Sequence, residues 1–182
     1  MTDFQEAMTI FAEAELIHSP EAVDAAVNRV AEQITQRLKD TNPLMLCVMN
    51  GGVPFAGRLL TRMRFPLDFD YIHVSRYGQE YSGGTLSWRV LPQTPVEGRT
   101  VLVVDDILDE GDTLAAIVGH MRELGATVCH TAVAVEKQKR GKKPIAADFV
   151  ALTVPDRFVF GFGMDVRGKW RNLPAIYAVK EN

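Results

Sequence analysis

Val101-Leu102-Val103-Val104-Asp105-Asp106-Ile107-Leu108-Asp109-Glu110-Gly111-Asp112-Thr113-Leu114 is an apolar run ending in two adjacent carboxylates, followed by a third, a glycine and the opening of a helix. Four consecutive apolar residues suit a strand covered on both faces, because such a strand has no solvent side to leave polar. The spacing then predicts a helix from residue 113 to about 124, closed by Gly125. In open parallel α/β sheets ligands sit at such junctions, beyond the carboxyl ends of the strands. Backbone amides of Glu110, Gly111, Asp112 and Thr113 can converge at the helix N-terminus, where unpaired donors and the helix dipole favour a phosphate. Gly111 supplies a permissive backbone and Thr113 a hydroxyl. Ionised Asp105 and Asp106 only accept hydrogen bonds, and two adjacent acceptors suit the vicinal hydroxyls of a ribose, directly or through Mg²⁺. The junction therefore matches a sugar phosphate.

Acids after a buried strand also serve as plain helix caps or solvated loop residues, and the coincidence of four features weighs against that reading. Receiver domains place paired acids after a strand too, but near the start of the domain, whereas about a hundred residues precede this pair. The lysine of a GxxxxGK[ST] loop is missing, which disfavours an ordinary nucleoside triphosphatase.

Working outward, Ser19-Pro20-Glu21 reads as an N-cap, a first-turn proline and a first-turn acid. Val23, Ala26, Val27, Val30, Ile34 and Leu38 then recur at helical spacing, predicting a helix over residues 20–39 that Pro43 terminates. Residues 44–49 form a second buried strand ending at Asn50-Gly51-Gly52, and residues 53–63 a helix with Pro54 in its first turn. Strand character resumes at 69–75, 86–91, 127–135 and 149–152. Residues 77–84, polar, glycine-rich and bearing Tyr77 and Tyr81, read as a loop. Strand and helix alternate as in a right-handed, mainly parallel α/β sheet flanked by helices.

At 182 residues and 47% apolar, the chain fits one domain with a sizeable core. Twenty basic against twenty-three acidic residues leave no whole-molecule positive field for a nucleic-acid backbone. Cys47 and Cys129, far apart in apolar runs, read as buried thiols in a reducing cytoplasm rather than a zinc or redox pair. Asp3 and Glu6 stand where a secretory signal would be positive, and no apolar stretch is long enough to cross a bilayer. His18, His73, His120 and His130 have no metal-binding spacing, and Trp88, Trp170, Phe160 and Phe162 read as packing residues.

The 101–114 segment resembles the phosphoribosyl-diphosphate (PRPP) loop of the type I phosphoribosyltransferases. Lys137, Val154-Pro155-Asp156-Arg157-Phe158-Val159-Phe160-Gly161-Phe162-Gly163-Met164-Asp165 and Arg171-Asn172-Leu173-Pro174 resemble the purine-binding region of hypoxanthine-guanine phosphoribosyltransferases. The resemblance spans about residues 44–179. It implies the type I phosphoribosyltransferase fold in a single domain, residues 1–182. The core would be about 20–152, and a small hood would come from 153–182 with N-terminal residues.

By the same resemblance, Asp105 and Asp106 hold the ribose hydroxyls, Asp109 is the general base at the purine N7, and Glu110, Gly111, Asp112 and Thr113 wrap the 5′-phosphate. Lys137 binds the purine O6, Phe158 stacks on the base, and the Val159 main chain meets its N1 and 2-position edge. Asp165 engages a Mg²⁺ on the pyrophosphate, with Asp105 and Asp106 as further metal candidates. Asn50 and Gly51 match the pyrophosphate loop, with a non-proline cis peptide expected between Met49 and Asn50, and Arg171 matches a pyrophosphate-contacting arginine. Tyr77 belongs to the candidate closing loop. The expected partners are PRPP and a 6-oxopurine, with no nucleic acid or membrane, in a cytoplasmic homodimer or homotetramer.

The residue chemistry agrees with the substrate class. A lysine donates and cannot accept, so Lys137 can meet a 6-oxo group but not an adenine amino group. Xanthine is the nearest alternative substrate, and a non-catalytic PRPP-sensing regulator is the rival from another class. Three departures from the family pattern stand out: Asn50 where a lysine or arginine is common, Arg76 where a serine usually precedes the tyrosine, and the acids Glu110 and Asp112 beside the phosphate-wrapping glycine. Two extra acids there repel a phosphate unless their side chains point to solvent.

Overall fold

The computed structural model describes residues 2–76 and 86–181; the expected closing loop, including Tyr77, lies outside them. The larger of two sheets has the order β4-β3-β2-β5-β6-β7, built from β2 (Leu44–Met49), β3 (Asp68–Arg76), β4 (Leu86–Val90), β5 (Thr100–Leu108), β6 (Val128–Gln138) and β7 (Phe149–Pro155). Neighbours run parallel except for β4, which returns antiparallel on β3. Period-2 alternation sends Leu102 and Val104 of β5 into the core under α2 (Pro20–Leu38) and α3 (Val53–Leu60). Val101 and Val103 enter the opposite core, against Leu114, Ile117 and Met121 of α4 (Asp112–Glu123). Helices on both faces explain the unbroken apolar reading of β2 and of β5 up to Val104.

Four elements run differently from the sequence reading. β5 continues to Leu108, so Asp105 and Asp106 lie in the strand rather than after it. The cause is the main-chain ladder: β5 and β6 stay paired through Asp105↔Val133 and Leu108↔Glu136 whatever the side chains' polarity. For the same reason β6 runs to Gln138 and carries Lys137 within it, and β7 extends to Pro155. The helix expected to reach residue 63 stops at Leu60, although Met63 is still buried.

The sequence reading assigned no element to residues 2–18, which form α1 (Asp3–Glu13) and β1 (Glu15–His18). Thr2 and Gln5 make a reciprocal capping box on α1. β1 pairs with β9 (Ile176–Ala178), which pairs with β8 (Val159–Phe160), giving a three-stranded antiparallel sheet that joins the two ends of the chain. Phe11 packs against Trp170 and Tyr177, ring centroids 4.7 and 5.2 Å away, and the Trp170 indole donates to the Ala7 carbonyl at 2.8 Å. Phe160 and Phe162 are buried as expected. Cys47 is buried, but Cys129 is only half-buried, and both are free. Among the described residues no helix is long and apolar enough to cross a membrane.

Candidate active site

The carboxyl ends of β2, β5 and β6, the start of α4 and the small sheet surround a cleft of about 690 Å³. Asn50, Gly51, Asp105, Asp106, Asp109, Glu110, Gly111, Thr113, Lys137, Phe158, Val159, Asp165 and Arg171 all line it. Asp112 does not: it begins α4 with its side chain exposed, which keeps one of the two extra acids away from the cradle.

At the floor, Asp105 Oδ1 accepts from the Asp106 amide at 2.9 Å and Asp106 Oδ1 from the Ile107 amide at 2.7 Å. Burial, reinforced by the neighbouring Asp106 charge, pushes the Asp105 carboxyl well above the usual carboxylate range. Asp106 is also raised by burial, with the Arg171 charge opposing the shift. The Asp106 carboxylate packs on the Cα of Gly51, where a Cβ would lie 1.8 Å from Oδ2. The peptide between Met49 and Asn50 is cis, as the sequence reading expected.

Arg171 connects Asp106 of β5 with Asp165, which lies between β8 and β9. Its Nη2 lies 2.5 Å from Asp165 Oδ1, while its Nη1 donates to the Gly163 carbonyl at 2.7 Å and lies 3.9 Å from Asp106 Oδ2. Asp165 Oδ2 accepts from the Gly168 amide at 2.9 Å, fixing the carboxylate from behind. Gly163 has φ +107°, and a Cβ there would sit 2.1 Å from the Gly51 carbonyl oxygen. Only glycine allows that approach.

At the opposite end, Asp109 Oδ2 accepts from Lys137 Nζ at 2.8 Å and its Oδ1 lies 2.7 Å from Lys139 Nζ. Partial burial acts to raise the Asp109 pKa, but the two lysines outweigh it and hold the carboxyl below the usual range. Lys139 also pairs with Glu110 and lies 3.8 Å from Asp156 Oδ1; the hydrogen bond to Asp109, then that to Glu110, raise its pKa. Gly111, at φ +95°, precedes α4 in the left-handed conformation, and a Cβ there would lie 3.3 Å from Pro144 Cδ. Lys143 Nζ donates to the carbonyls of Leu108 at 3.1 Å and Lys137 at 2.7 Å, tying the ends of β5 and β6 together. Phe158, 52% exposed, stands at the rim, and its carbonyl accepts from the Val179 amide at 2.9 Å.

Lys139, Lys143 and Gly163 were not singled out as site residues by sequence. For Lys139 a signal existed: it follows Lys137 by two residues, so extended backbone continuing from the strand would put both side chains on one side. Gly163 carried no such signal, because the carbonyl it must clear belongs to Gly51, over a hundred residues away in sequence.

Among the described residues no three His, Cys, Asp or Glu side chains converge on a metal-sized point. Mg²⁺ requires no such cage, being usually held by one or two carboxylates together with substrate phosphates and waters. The adjacent carboxyls of Asp105 and Asp106, both raised by burial, and Asp165 across the cleft fit that donor set.

Residues 14–167 match the family described as phosphoribosyl transferase domain. The hypoxanthine-guanine phosphoribosyltransferase of Bacillus subtilis is 35% identical over 163 residues, 89% of this chain and 91% of that one. The hypoxanthine-guanine-xanthine phosphoribosyltransferase of Tritrichomonas foetus is 32% identical over 169 residues, 92% of each chain. The crystal structure of a hypoxanthine phosphoribosyltransferase from Staphylococcus aureus superposes with a TM-score of 0.87 at 25% identity, covering 94% of this chain and 95% of the other.

Proposed function

The chain belongs to the phosphoribosyltransferase family, and on that premise we propose that it transfers the phosphoribosyl group of PRPP to hypoxanthine or guanine, releasing pyrophosphate and forming the nucleoside monophosphate. The observation that carries this reading is the Lys137–Asp109 pair, 2.8 Å apart in the cleft that the exposed Phe158 also lines. It sets a donor for a 6-oxo group next to an acceptor for the proton of a purine ring nitrogen, with an aromatic face for the base. Adenine would offer Lys137 an amino group instead and leave a partly buried donor unmatched, a cost of about 1–3 kcal/mol.

In the reaction the anomeric C–O bond to pyrophosphate breaks, a C–N bond to the purine forms, and Asp109 takes the purine proton. Its lysine partners hold the Asp109 carboxyl below the usual range and so keep it ionised, the form that can take a proton. Asp105 and Asp106 receive the ribose hydroxyls, and the amides of residues 110–113, with the Thr113 hydroxyl, receive the 5′-phosphate at the start of α4. Asn50, Gly51 and Arg171 face the pyrophosphate. Asp165, with Asp105 and Asp106, would hold Mg²⁺, which when bound supplies charge neutralisation for the leaving group. The working form is a cytoplasmic homodimer or homotetramer, a setting with which the two free thiols agree.

The test is turnover of PRPP and Mg²⁺ with hypoxanthine, guanine, xanthine and adenine, alongside Asp109→Asn. Hypoxanthine and guanine should be the best substrates, and Asp109→Asn should lose about 10²–10⁴-fold in kcat, the usual range for a general base. Adenine as best substrate would defeat the Lys137 argument, an unaffected Asp109→Asn variant its role as base, and no turnover of any base would favour a PRPP-sensing regulator. Xanthine turnover at the hypoxanthine rate would widen the specificity to match the relative from Tritrichomonas foetus.

A further inference from the structure

We infer that Lys139 is a ligand of the 5′-phosphate, held in reserve by Glu110 and Asp109 until that phosphate arrives; the inference rests on the reading of residues 110–113 as the phosphate cradle. Lys139 lines the cleft just beyond β6, with its side chain 21% exposed. One ammonium there is shared by three carboxylates: Asp109 at 2.7 Å, Glu110 in direct contact and Asp156 at 3.8 Å. With Lys137 on the other Asp109 oxygen, this corner holds three acids and two lysines. Glu110 opens the phosphate-wrapping segment, so a phosphate entering it meets a carboxylate already in place. That carboxylate, with its side chain 54% exposed, already carries the Lys139 ammonium, so the incoming anion meets a cation within reach as well as an acid.

Lys139 is the one lysine of this group able to move to that anion. Lys143 is fixed by two main-chain carbonyls and Glu136, its three donors all used. Lys137, more deeply buried at 11% exposure, bonds Asp109 from the side assigned to the purine. Lys139 sits on a flexible four-carbon stem with three donors, and swinging from Asp109 to a phosphate oxygen keeps it in contact with Glu110. The move also frees Asp109 Oδ1 for the purine proton. Glu110 therefore acts as a tether for the lysine rather than as a defect in the cradle.

The experiment compares wild type, Lys139→Ala, Lys139→Arg, Glu110→Ser and the Glu110→Ser/Lys139→Ala double variant. It reads steady-state KM for PRPP and for hypoxanthine, together with the Kd of inosine monophosphate by calorimetry. Lys139→Ala should raise the PRPP KM and the monophosphate Kd by about 10- to 100-fold, the scale of one charge-assisted hydrogen bond, with the hypoxanthine KM within about twofold. Lys139→Arg should recover most of the loss. Glu110→Ser should tighten the monophosphate, and Lys139→Ala should still cost about tenfold in that background. Unchanged PRPP KM and Kd in Lys139→Ala would overturn the inference. So would a loss that disappears in Glu110→Ser, since the lysine would then only neutralise the acid. A wild-type protein that binds no monophosphate and turns over no PRPP would instead overturn the functional reading itself.

Discussion

Gly51 and Gly57 stand six residues apart, and alanine at each probes opposite physical limits. At Gly51 the new methyl carbon would lie 1.8 Å from Asp106 Oδ2 and 2.4 Å from Cγ. Carbon and oxygen approach no closer than about 3.3 Å without strain, so the carboxylate must retreat by about 1.5 Å. That motion breaks the 2.7 Å bond from the Ile107 amide and moves the acid relative to Arg171. A hydrogen bond to a charged acceptor contributes about 1.5–3 kcal/mol, and an ångström of misplacement at a reacting centre costs about 10²-fold. Gly51→Ala should therefore lower kcat/KM by about 10²-fold, or roughly 2.7 kcal/mol of transition-state stabilisation. At Gly57, inside α3, a Cβ meets nothing within 4 Å. Alanine there removes the entropic penalty of a helical glycine, a gain of roughly 0.5–1 kcal/mol, raising Tm by about 1–4 °C with unchanged activity. Steady-state kinetics with PRPP and hypoxanthine, paired with thermal unfolding, reads both effects. Wild-type kcat/KM in Gly51→Ala would refute the claim that the Asp106 position depends on a bare Cα.

Asp105 and Asp106 have carboxyls raised by burial, so between the unfolded value near 3.8 and their folded values the native state binds more protons than the unfolded chain. Their contribution to stability therefore falls as pH rises through that window. Asp105→Asn, which can still accept from the Asp106 amide, should gain Tm relative to wild type as pH increases in chelator-containing buffer; a pH-independent difference would contradict the assignment. Burial pushes the thiols of Cys47 and Cys129 up to about 12 and about 11, so both should resist alkylation at pH 8 in the native protein and react on unfolding; rapid native labelling of Cys47 would show that its pocket opens.

How far the structure could be anticipated depended on how local each cause was. The helix over residues 20–38 was readable because Ser19, Pro20 and the 3.6-residue apolar period act within the segment. The carboxylates of the 101–114 stretch could be assigned to a ligand site because strand end, glycine and helix start are consecutive in the chain. β1 was illegible, since four residues with half-exposed side chains become a strand only by pairing with β9, some 160 residues later. The overrun of β5 and β6 past Val104 and Val135 had the same origin: main-chain hydrogen bonds from a neighbouring strand hold polar residues extended where hydropathy suggests a loop.

Local order along the chain thus specified an alternating α/β sheet, its acidic junction and the residue types proposed to meet a sugar phosphate and a 6-oxopurine. Assembly in three dimensions decided the rest: Arg171 spanning Asp165 and Asp106, Gly163 clearing the Gly51 carbonyl, and Lys139 lodged among three acids. Apart from the Asp165–Arg171 pair, six positions apart, those relations join residues from 17 to over a hundred positions apart. Periodicity and capping act over a few residues and carry no information about which distant side chains a closed cleft will bring within hydrogen-bonding distance.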